Sequence, residues 1–256
     1  MLLTLLAATV IDVPGAAFQM GSGRSPDERP VHEVTVSPYR VDATEVTIDA
    51  FEAFVASNAY TEVRWWTAAG WTWAQAHPGG AGVKQRASGR TGAHPVVGVT
   101  WWEADAYCRW KGGALPSEAQ WEHASCDDAG GRYPWGDSED FAANWYKEGK
   151  HGQIESVKTE PAAQQDATLA SPFGLLHAAG NVWEWTADSY DARFYGTSAA
   201  AAPVKDPVNT AERPWRTVRG GAYVNLPSYC SCTHREPVGP DEARLTVGFR
   251  CAYPAK

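Results

Sequence analysis

Three segments in the first half of the chain have the spacing and the leading residue of an amphipathic helix. Thr47, Thr100 and Ser117 can each accept hydrogen bonds from the backbone N–H groups of a first helical turn. Thr100 and Ser117 are also followed three residues later by Glu or Gln, which is the capping-box spacing. Apolar residues recur at helical spacing behind Thr47, at Ile48, Phe51, Phe54 and Val55. The predicted helices cover 47–58, 101–111 and 118–125.

Only short segments of the chain have the alternating pattern of a β-strand. Alternating residues predict strands at 34–36, 217–218 and 247–249. The apolar opening, residues 1–10, lacks the charged start and the small-residue cleavage site of a secretory signal, so we predict a first strand there. Helical periodicity is almost absent from residue 127 onward, which predicts a second half made of loop and strand.

Tryptophan, glycine and proline are unusually frequent. The 256 residues include 13 Trp, 24 Gly and 17 Pro, so we expect irregular backbone held by large aromatic side chains. A content of 44% hydrophobic and 20% charged residues is typical of a globular chain. No apolar run reaches the roughly 18 residues that span a bilayer. Without internal repeats or a hydrophilic linker, the chain is expected to form one domain over residues 1–256.

Charge and cysteine content narrow the class of partner. The 22 Lys and Arg residues against 30 Asp and Glu residues give a net charge of −8, which argues against nucleic acid and against an anionic membrane surface. A peptide, a protein or a small-molecule ligand is the expected partner. Five cysteines are an odd number and too few for a disulfide scaffold, so we predict a reducing, cytoplasmic location, with a single disulfide left open.

Common catalytic signatures, including a phosphate-binding glycine loop and a G-x-S-x-G turn, are absent from the sequence. An ordered series of ten other motifs is present. They are PGAAFQMGS (14–22), RPVHEVTV (29–36), TEVT (44–47), HPVVGVTW (94–101), ADAYCRW (104–110), LPSEAQWE (115–122), YPWGD (133–137), GNVWEW (180–185), RGG (219–221) and GFRC (248–251). In this order the motifs resemble the formylglycine-generating-enzyme-like, or sulfatase-modifying-factor, family over nearly the whole chain.

This resemblance implies an α+β fold of the C-type-lectin-like kind, low in regular secondary structure. It also implies structural calcium ions and a surface cleft formed mostly by the C-terminal third. Members of the family differ in function: some are copper-dependent oxidases that form formylglycine, some are iron-dependent sulfoxide synthases, and some only bind a ligand. Family membership therefore predicts the fold but not the reaction.

The resemblance places calcium ligands on two turns. Matching residues are the carbonyl oxygens of Gly180 and Val182 with the carboxylate of Glu184 at one turn, and Asn144 with Trp145 at the other. His177 stands where the family usually has Asn or Asp, and a nitrogen ligand suits calcium poorly. We therefore expect structural calcium, weakened at the His177 turn. The alternative is that Glu184 caps backbone donors without any ion.

The copper site of the oxidases is incomplete in this chain. Those enzymes use two cysteines, because Cu(I) prefers two opposed thiolates. Counted forward from Gly221, the two positions are Asn225 and Cys230, and Ala222 replaces the family's serine. Counted backward from Arg235, Cys230 falls on a structural position. Since both registers lack the pair, ordinary formylglycine generation is not expected.

A different metal site remains a hypothesis. Cys230, Cys232 and His234 alternate along the chain, and on a strand they would share one face and offer a soft ligand set. The alternative is that both cysteines are buried and that His234 is hydrogen-bonded. The iron site of the sulfoxide synthases is not expected. In those enzymes the iron-binding histidines come from a separate N-terminal helical domain, which we do not expect in this chain. The tryptophans of 65–73 are expected to pack that segment onto the domain; the alternative is a cation–π box for a trimethylammonium substrate.

Two functions therefore stay open. The favoured one is recognition of a ligand, or an accessory role, through the C-terminal loops, with no chemistry. The alternative is a metal-dependent oxidoreductase whose candidate catalytic residues are Cys230, Cys232 and His234. The predicted cleft residues are Trp183, Tyr223, Asn225, Tyr229 and Arg235. Arg235 has a second interpretation, as a buried arginine that binds backbone or carboxylate groups.

Overall fold

The computed structural model describes residues 9–81, 90–126, 131–140, 143–145, 159–198 and 204–256. The strands in these ranges are β1 (Val10–Val13), β2 (Ala16–Met20), β3 (His32–Val36), β4 (Tyr39–Asp42), β5 (Trp183–Ser189), β6 (Val204–Lys205), β7 (Arg216–Arg219), β8 (Glu236–Val238), β9 (Val247–Gly248) and β10 (Ala252–Pro254). The helices are α1 (Ile48–Ala56), α2 (Ala68–Ala76), α3 (Trp101–Trp110), α4 (Glu118–Cys126) and α5 (Phe194–Ser198).

The described strands form three small sheets. One has the order β1-β4-β10, the second β2-β3-β6, and the third β8-β7-β5-β9. Strand β10 pairs antiparallel with β4, with Ala252 opposite Val41, so the end of the chain lies beside its beginning. The third sheet carries the candidate site, because β7 and β8 flank the loop that contains Asn225 and Cys230.

The three predicted helices are confirmed. In α1, Thr47 accepts a hydrogen bond from the Ala50 N–H, and Thr100 and Glu103 form the predicted capping box at the start of α3. Ser117 and Gln120 bond reciprocally in the same way at the start of α4. The strands predicted at 34–36, 217–218 and 247–249 correspond to parts of β3, β7 and β9. Most of the strand predicted at 1–10 lies outside the described residues.

Two helices were not predicted from the sequence. Helix α2 begins after Thr67, whose hydroxyl accepts from the Gly70 N–H, and its Trp-rich sequence shows little periodicity. Trp66 and Trp73 are buried in the core, so the segment packs onto the domain as expected. Helix α5 corrects the prediction of a second half without helices. Among the described helices, none is long and apolar enough to cross a membrane.

Aromatic rings fill the core between α1, α3 and the third sheet. The Tyr107 ring centroid lies 5.6 Å from that of Phe54, 5.8 Å from that of Phe51 and 5.3 Å from that of Phe249. Such offset and edge-on pairs add about 0.5–1.5 kcal/mol each to the free energy gained by burial. Large side chains from distant segments therefore stabilise an architecture with little regular structure.

A buried ion-pair network joins α4 to the third sheet. The Glu118 carboxylate accepts from Arg219 Nη1 at 2.6 Å and from Arg235 Nη2 at 2.9 Å. Arg219 also donates to Glu122. Burial alone would raise the pKa of Glu118, but Arg235 and Arg219 hold it below its usual value. The arginines at both ends of the loop 220–234 thus bind one carboxylate.

Four of the five cysteines are paired, which corrects the expectation of at most one disulfide. Cys108 of α3 bonds to Cys251, and Cys126, at the end of α4, bonds to Cys232. Cys230 is free and buried. Sequence spacing gave no sign of these pairs, because their members lie 143 and 106 residues apart. The cysteine count is therefore no argument for a reducing compartment.

We expect Glu118→Gln to lower the free energy of unfolding by about 3–5 kcal/mol, because removing one partner leaves buried charge unpaired. Chemical denaturation monitored by circular dichroism measures the change. Glu242→Gln is the matched control: its carboxylate pairs with Arg244 at 2.7 Å on the surface, so the expected loss is below about 1 kcal/mol. Equal losses in the two variants would contradict the importance of the buried network.

Candidate functional site

The loop between β7 and β8 is a rigid turn packed over a buried cysteine. Gly220 and Gly221 have φ angles of 94° and 74°, which L side chains rarely adopt. A Cβ atom on Gly221 would collide with Cys230. Only glycine therefore allows the backbone to cross the Cys230 side chain this closely. After the turn, Pro227–Cys230 forms a single turn of 3-10 helix.

Asn225 closes this turn. Its Oδ1 accepts from the Ala222 N–H at 3.0 Å, and its own N–H donates to the Ala222 carbonyl at 2.8 Å. The side chain that stands at a copper-cysteine position is thus engaged in local structure. An amide is also a poor ligand for Cu(I), which prefers thiolates. The residues present do not fit the family's copper ion.

The predicted convergence of Cys230, Cys232 and His234 is wrong. The Cys232 sulfur is bonded to Cys126 and cannot act as a thiolate. Cys230 is completely buried, 3.8 Å from the Leu226 carbonyl oxygen, and burial raises the pKa of its thiol. In the described part of the chain, no group of three or more His, Cys, Asp or Glu residues is arranged to hold a metal ion.

His234 lies between two rings and two carboxylates. Its ring centroid is 5.8 Å from that of Trp183 and 5.0 Å from that of Tyr229. Nδ1 lies 3.8 Å from Glu28 Oε1, and Nε2 lies 3.6 Å from Glu236 Oε2. Burial lowers the pKa of His234 below its usual value despite these carboxylates. The imidazole is therefore neutral near pH 7.

Three large side chains of the loop that precedes His234 face solvent. Val224 is 46% exposed, Leu226 52% and Tyr229 42%. We call Val224, Leu226, Tyr229 and His234 the C-terminal loop face. Exposed apolar side chains grouped on a rigid turn are typical of a binding surface. The residue types alone did not identify Val224 and Leu226, although two large apolar residues in a glycine- and proline-rich loop were a usable signal.

The other predicted cleft residues lie beneath this face or beside it. Tyr223 is half-buried against the core, and its N–H donates to the Asn181 carbonyl. Trp183 is 6% exposed and lies under His234. Arg235 is buried on Glu118 and donates also to the Asp27 carbonyl at 2.8 Å, so its second interpretation is confirmed and its assignment to the cleft is corrected. Buried arginines need such partners.

The Glu184 carboxylate is paired with the guanidinium of Arg250. Arg250 donates from Nη2 to Oε1 and from Nε to Oε2, both at 2.6 Å, and Trp121 Nε1 donates to Oε2 at 2.9 Å. Both residues of the ion pair are fully buried. A calcium ligand needs an oxygen lone pair directed at the ion. Here both oxygens face the guanidinium and the indole, so Glu184 neither caps backbone donors nor offers a free carboxylate.

His177 completes the misfit at this turn. Its φ of 56° is the left-handed conformation that Asn adopts readily. The ring is buried, and burial together with Arg250 lowers its pKa to about 4, against the opposite effect of a backbone hydrogen bond with Pro161. Glu184, the anionic ligand that the resemblance implies, is therefore already paired with Arg250, and calcium at this turn stays a prediction.

The other calcium-like turn lies partly outside the described residues. The Asn144 carbonyl accepts from the Asn181 N–H at 2.7 Å, and its side-chain amide donates to Asn181 Oδ1 at 3.0 Å. Trp145 is buried beside it. The following segment, 146–158, is not described. Calcium at Asn144 and Trp145 stays a prediction.

Three cavities open on the surface of the described residues. The first, of about 440 Å³, lies between β4, β10 and the start of α4, and a second, of about 340 Å³, lies between α1 and Glu103. The third, of about 630 Å³, lies between the starts of α2 and α3 and residues 212–216. None of them is lined by a predicted cleft residue.

Three small sheets and short helices packed around an aromatic core form the scaffold that carries the loop between β7 and β8. Residues 4–255 match the sulfatase-modifying factor enzyme 1-like domain. The chain belongs to this family, and its fold is the α+β, C-type-lectin-like fold of that family.

Relatives in the family carry different names. A formylglycine-generating enzyme of Streptomyces coelicolor is 31% identical, covering 96% of this chain and 89% of that protein. The inactive C-alpha-formylglycine-generating enzyme 2 of Bos taurus is also 31% identical, covering 95% and 87%. Among solved structures, PvdO from Pseudomonas aeruginosa superimposes with a TM-score of 0.71 at 21% identity, covering 96% and 94%. This last similarity concerns the fold alone.

We expect acid to destabilise the protein through His177. Its folded-state pKa of about 4 lies below the ordinary value of 6.5, so the unfolded chain binds more protons between these values and stability falls as pH falls. The loss attributable to this residue is on the order of 3 kcal/mol. His177→Asn, which suits the left-handed backbone, should flatten the profile between pH 6.5 and 4. Denaturant titrations across that range measure it.

The matched control is the exposed His77, changed to Asn in the same way. That variant should keep the wild-type pH profile. An unchanged profile in His177→Asn would show that the buried imidazole is not the group that loses stability in acid.

Proposed function

We propose that this chain is a non-catalytic member of the family that recognises a peptide, protein or small-molecule ligand through the C-terminal loop face. One observation carries the proposal: the side chains at the copper-cysteine positions serve the fold. Asn225 closes a turn, and Cys230 is buried with a raised thiol pKa. A thiol that stays protonated and inaccessible is a poor nucleophile and a poor metal ligand.

The loop face suits recognition because its backbone is fixed. Arg219 and Arg235 bind Glu118 at the two ends of the loop. The disulfide of Cys232 and the bonds of Asn225 fix the middle. Binding to a rigid loop costs little conformational entropy, so exposed apolar contacts contribute more of their energy to affinity. The name of the inactive Bos taurus relative is consistent with loss of catalysis within this family.

We expect no formylglycine to form when the purified protein is supplied with Cu(I), oxygen and a cysteine-containing peptide. Mass spectrometry of the peptide measures the product, and the Streptomyces coelicolor relative is the positive control. Cu(I) affinity, measured by competition with a chromophoric chelator, should be the same in wild type and Cys230→Ser. Product formation, or a loss of Cu(I) affinity in Cys230→Ser, would contradict the proposal.

A random peptide library selected on the immobilised protein tests recognition directly. Peptides that bind wild type should lose at least about tenfold in affinity with Leu226→Asp, since a charge would be buried in an apolar contact. Val63→Asp is the matched control, because Val63 is 58% exposed but lies outside the loop face. Equal losses in both variants, or none in Leu226→Asp, would place the binding surface elsewhere.

A further inference from the structure

The largest of the three cavities is lined by two arginines and two tryptophans. It has a volume of about 630 Å³ and lies between the first turns of α2 and α3 and the segment that leads into β7. Trp101, Trp102, Arg213 and Arg216 line it, with Glu212 at its edge. None of these residues belongs to the C-terminal loop face. Arginines that line a cavity are typical of sites for anionic ligands.

Arg216 is fixed on an aromatic ring. Its guanidinium carbon lies 3.8 Å from the centroid of Trp101. That ring is itself held in place, because Trp101 Nε1 donates to the Thr186 carbonyl at 2.7 Å. The guanidinium is planar, and its N–H groups match the geometry of a carboxylate. Stacking on the indole fixes the orientation of that plane. The arginine is therefore oriented before any ligand arrives.

Arg216 makes no direct ion pair among the described residues, although the Asp105 and Asp188 carboxylates act on its charge from a longer distance. Nη1 donates to the Ala187 carbonyl at 3.1 Å, and no described acid lies within ion-pair distance. Asp105, a nearby acid, binds Arg109 at 2.8 Å. Asp188 accepts from the backbone N–H groups of Glu118 and Asn209. Arg216 therefore keeps most of its guanidinium N–H groups free of a direct protein partner among the described residues.

Arg213 provides a contrast within the same cavity. Its Nη2 lies 2.9 Å from Asp191 Oδ2, and the side chain is 46% exposed. Its charge is already balanced by a partner, so it has less to gain from an anionic ligand. The two arginines therefore form a natural pair of test and control positions.

We propose that this cavity binds a small organic monocarboxylate, with the carboxylate on Arg216. One of the five guanidinium N–H groups is used by Ala187, which leaves four donors for a ligand. The positive end of α2 adds a favourable field, whereas the start of α3 is already capped by the Glu103 carboxylate. Trp102, Pro214 and Pro240 supply apolar walls for the rest of the ligand. Glu212 limits the positive charge of the site, which favours one negative charge over the two of a phosphate.

Benzoate is the probe, and benzamide is its neutral counterpart of the same shape. Isothermal titration calorimetry at low ionic strength should show saturable binding of benzoate and at least about tenfold weaker binding of benzamide, because the charged contact is lost. Arg216→Gln should weaken benzoate binding by about tenfold or more. Arg213→Gln should change it by less than about threefold, and Glu212→Gln should tighten it.

Thermal unfolding of each variant shows whether the fold is intact. If Arg216→Gln does not fold, Arg216→Lys replaces it: the charge remains, but the planar fork is lost, so a clear loss of benzoate affinity is still expected. Absence of saturable benzoate binding to wild type up to its solubility limit would overturn the proposal. Equal binding of benzoate and benzamide, or unchanged benzoate binding in both Arg216 variants, would overturn it as well.

Discussion

The ion pairs on Glu118 are the constraint on which the candidate site depends. Glu118 is fully buried at the start of α4, where its carboxylate receives Arg219 from the end of β7 and Arg235 from the start of β8. A buried charge without a partner costs several kcal/mol. The two arginines are therefore held on one carboxylate, and the loop between them must begin and end at the same place.

Helix α4 extends this constraint to the rest of the chain. Trp121 donates to Glu184, which binds Arg250 near the C-terminus, and Cys126 bonds to Cys232. One short helix thus contacts β5 and both ends of the loop between β7 and β8, which are far from it in the sequence. The sheets are small, with several strands of two to four residues, so these polar and covalent contacts replace the regular hydrogen bonding that larger sheets would supply.

Structural elements that depend on neighbouring residues could be predicted from the sequence. The hydroxyls of Thr47, Thr100 and Ser117 identified three helix starts, because capping involves residues within one turn. Helix α2 escaped prediction because its apolar residues show no helical period, and tertiary packing of Trp66 and Trp73 decides its conformation.

Only part of the candidate site could be predicted from the sequence, for a related reason. The absence of the cysteine pair is visible in the sequence, since Asn225 stands at one of its positions. The disulfides are not visible, because their partners meet only in the folded chain. The role of Arg235 was likewise decided by Glu118, which is 117 residues away. Distances of this kind are set by topology, and spacing along one sequence carries no information about them.

Glu118 binds an arginine at each end of the loop between β7 and β8. The residues that hold the loop in place are therefore distinct from the exposed residues that can change. The entropy of closing a flexible loop grows slowly, by about 0.6 kcal/mol for each doubling of its length. Val224 and Leu226 are exposed, so substitutions there leave the buried pairs of Arg219 and Arg235 with Glu118 in place. The exposed positions of the loop can therefore differ in residue type while the buried ion pairs keep both of its ends on the same helix.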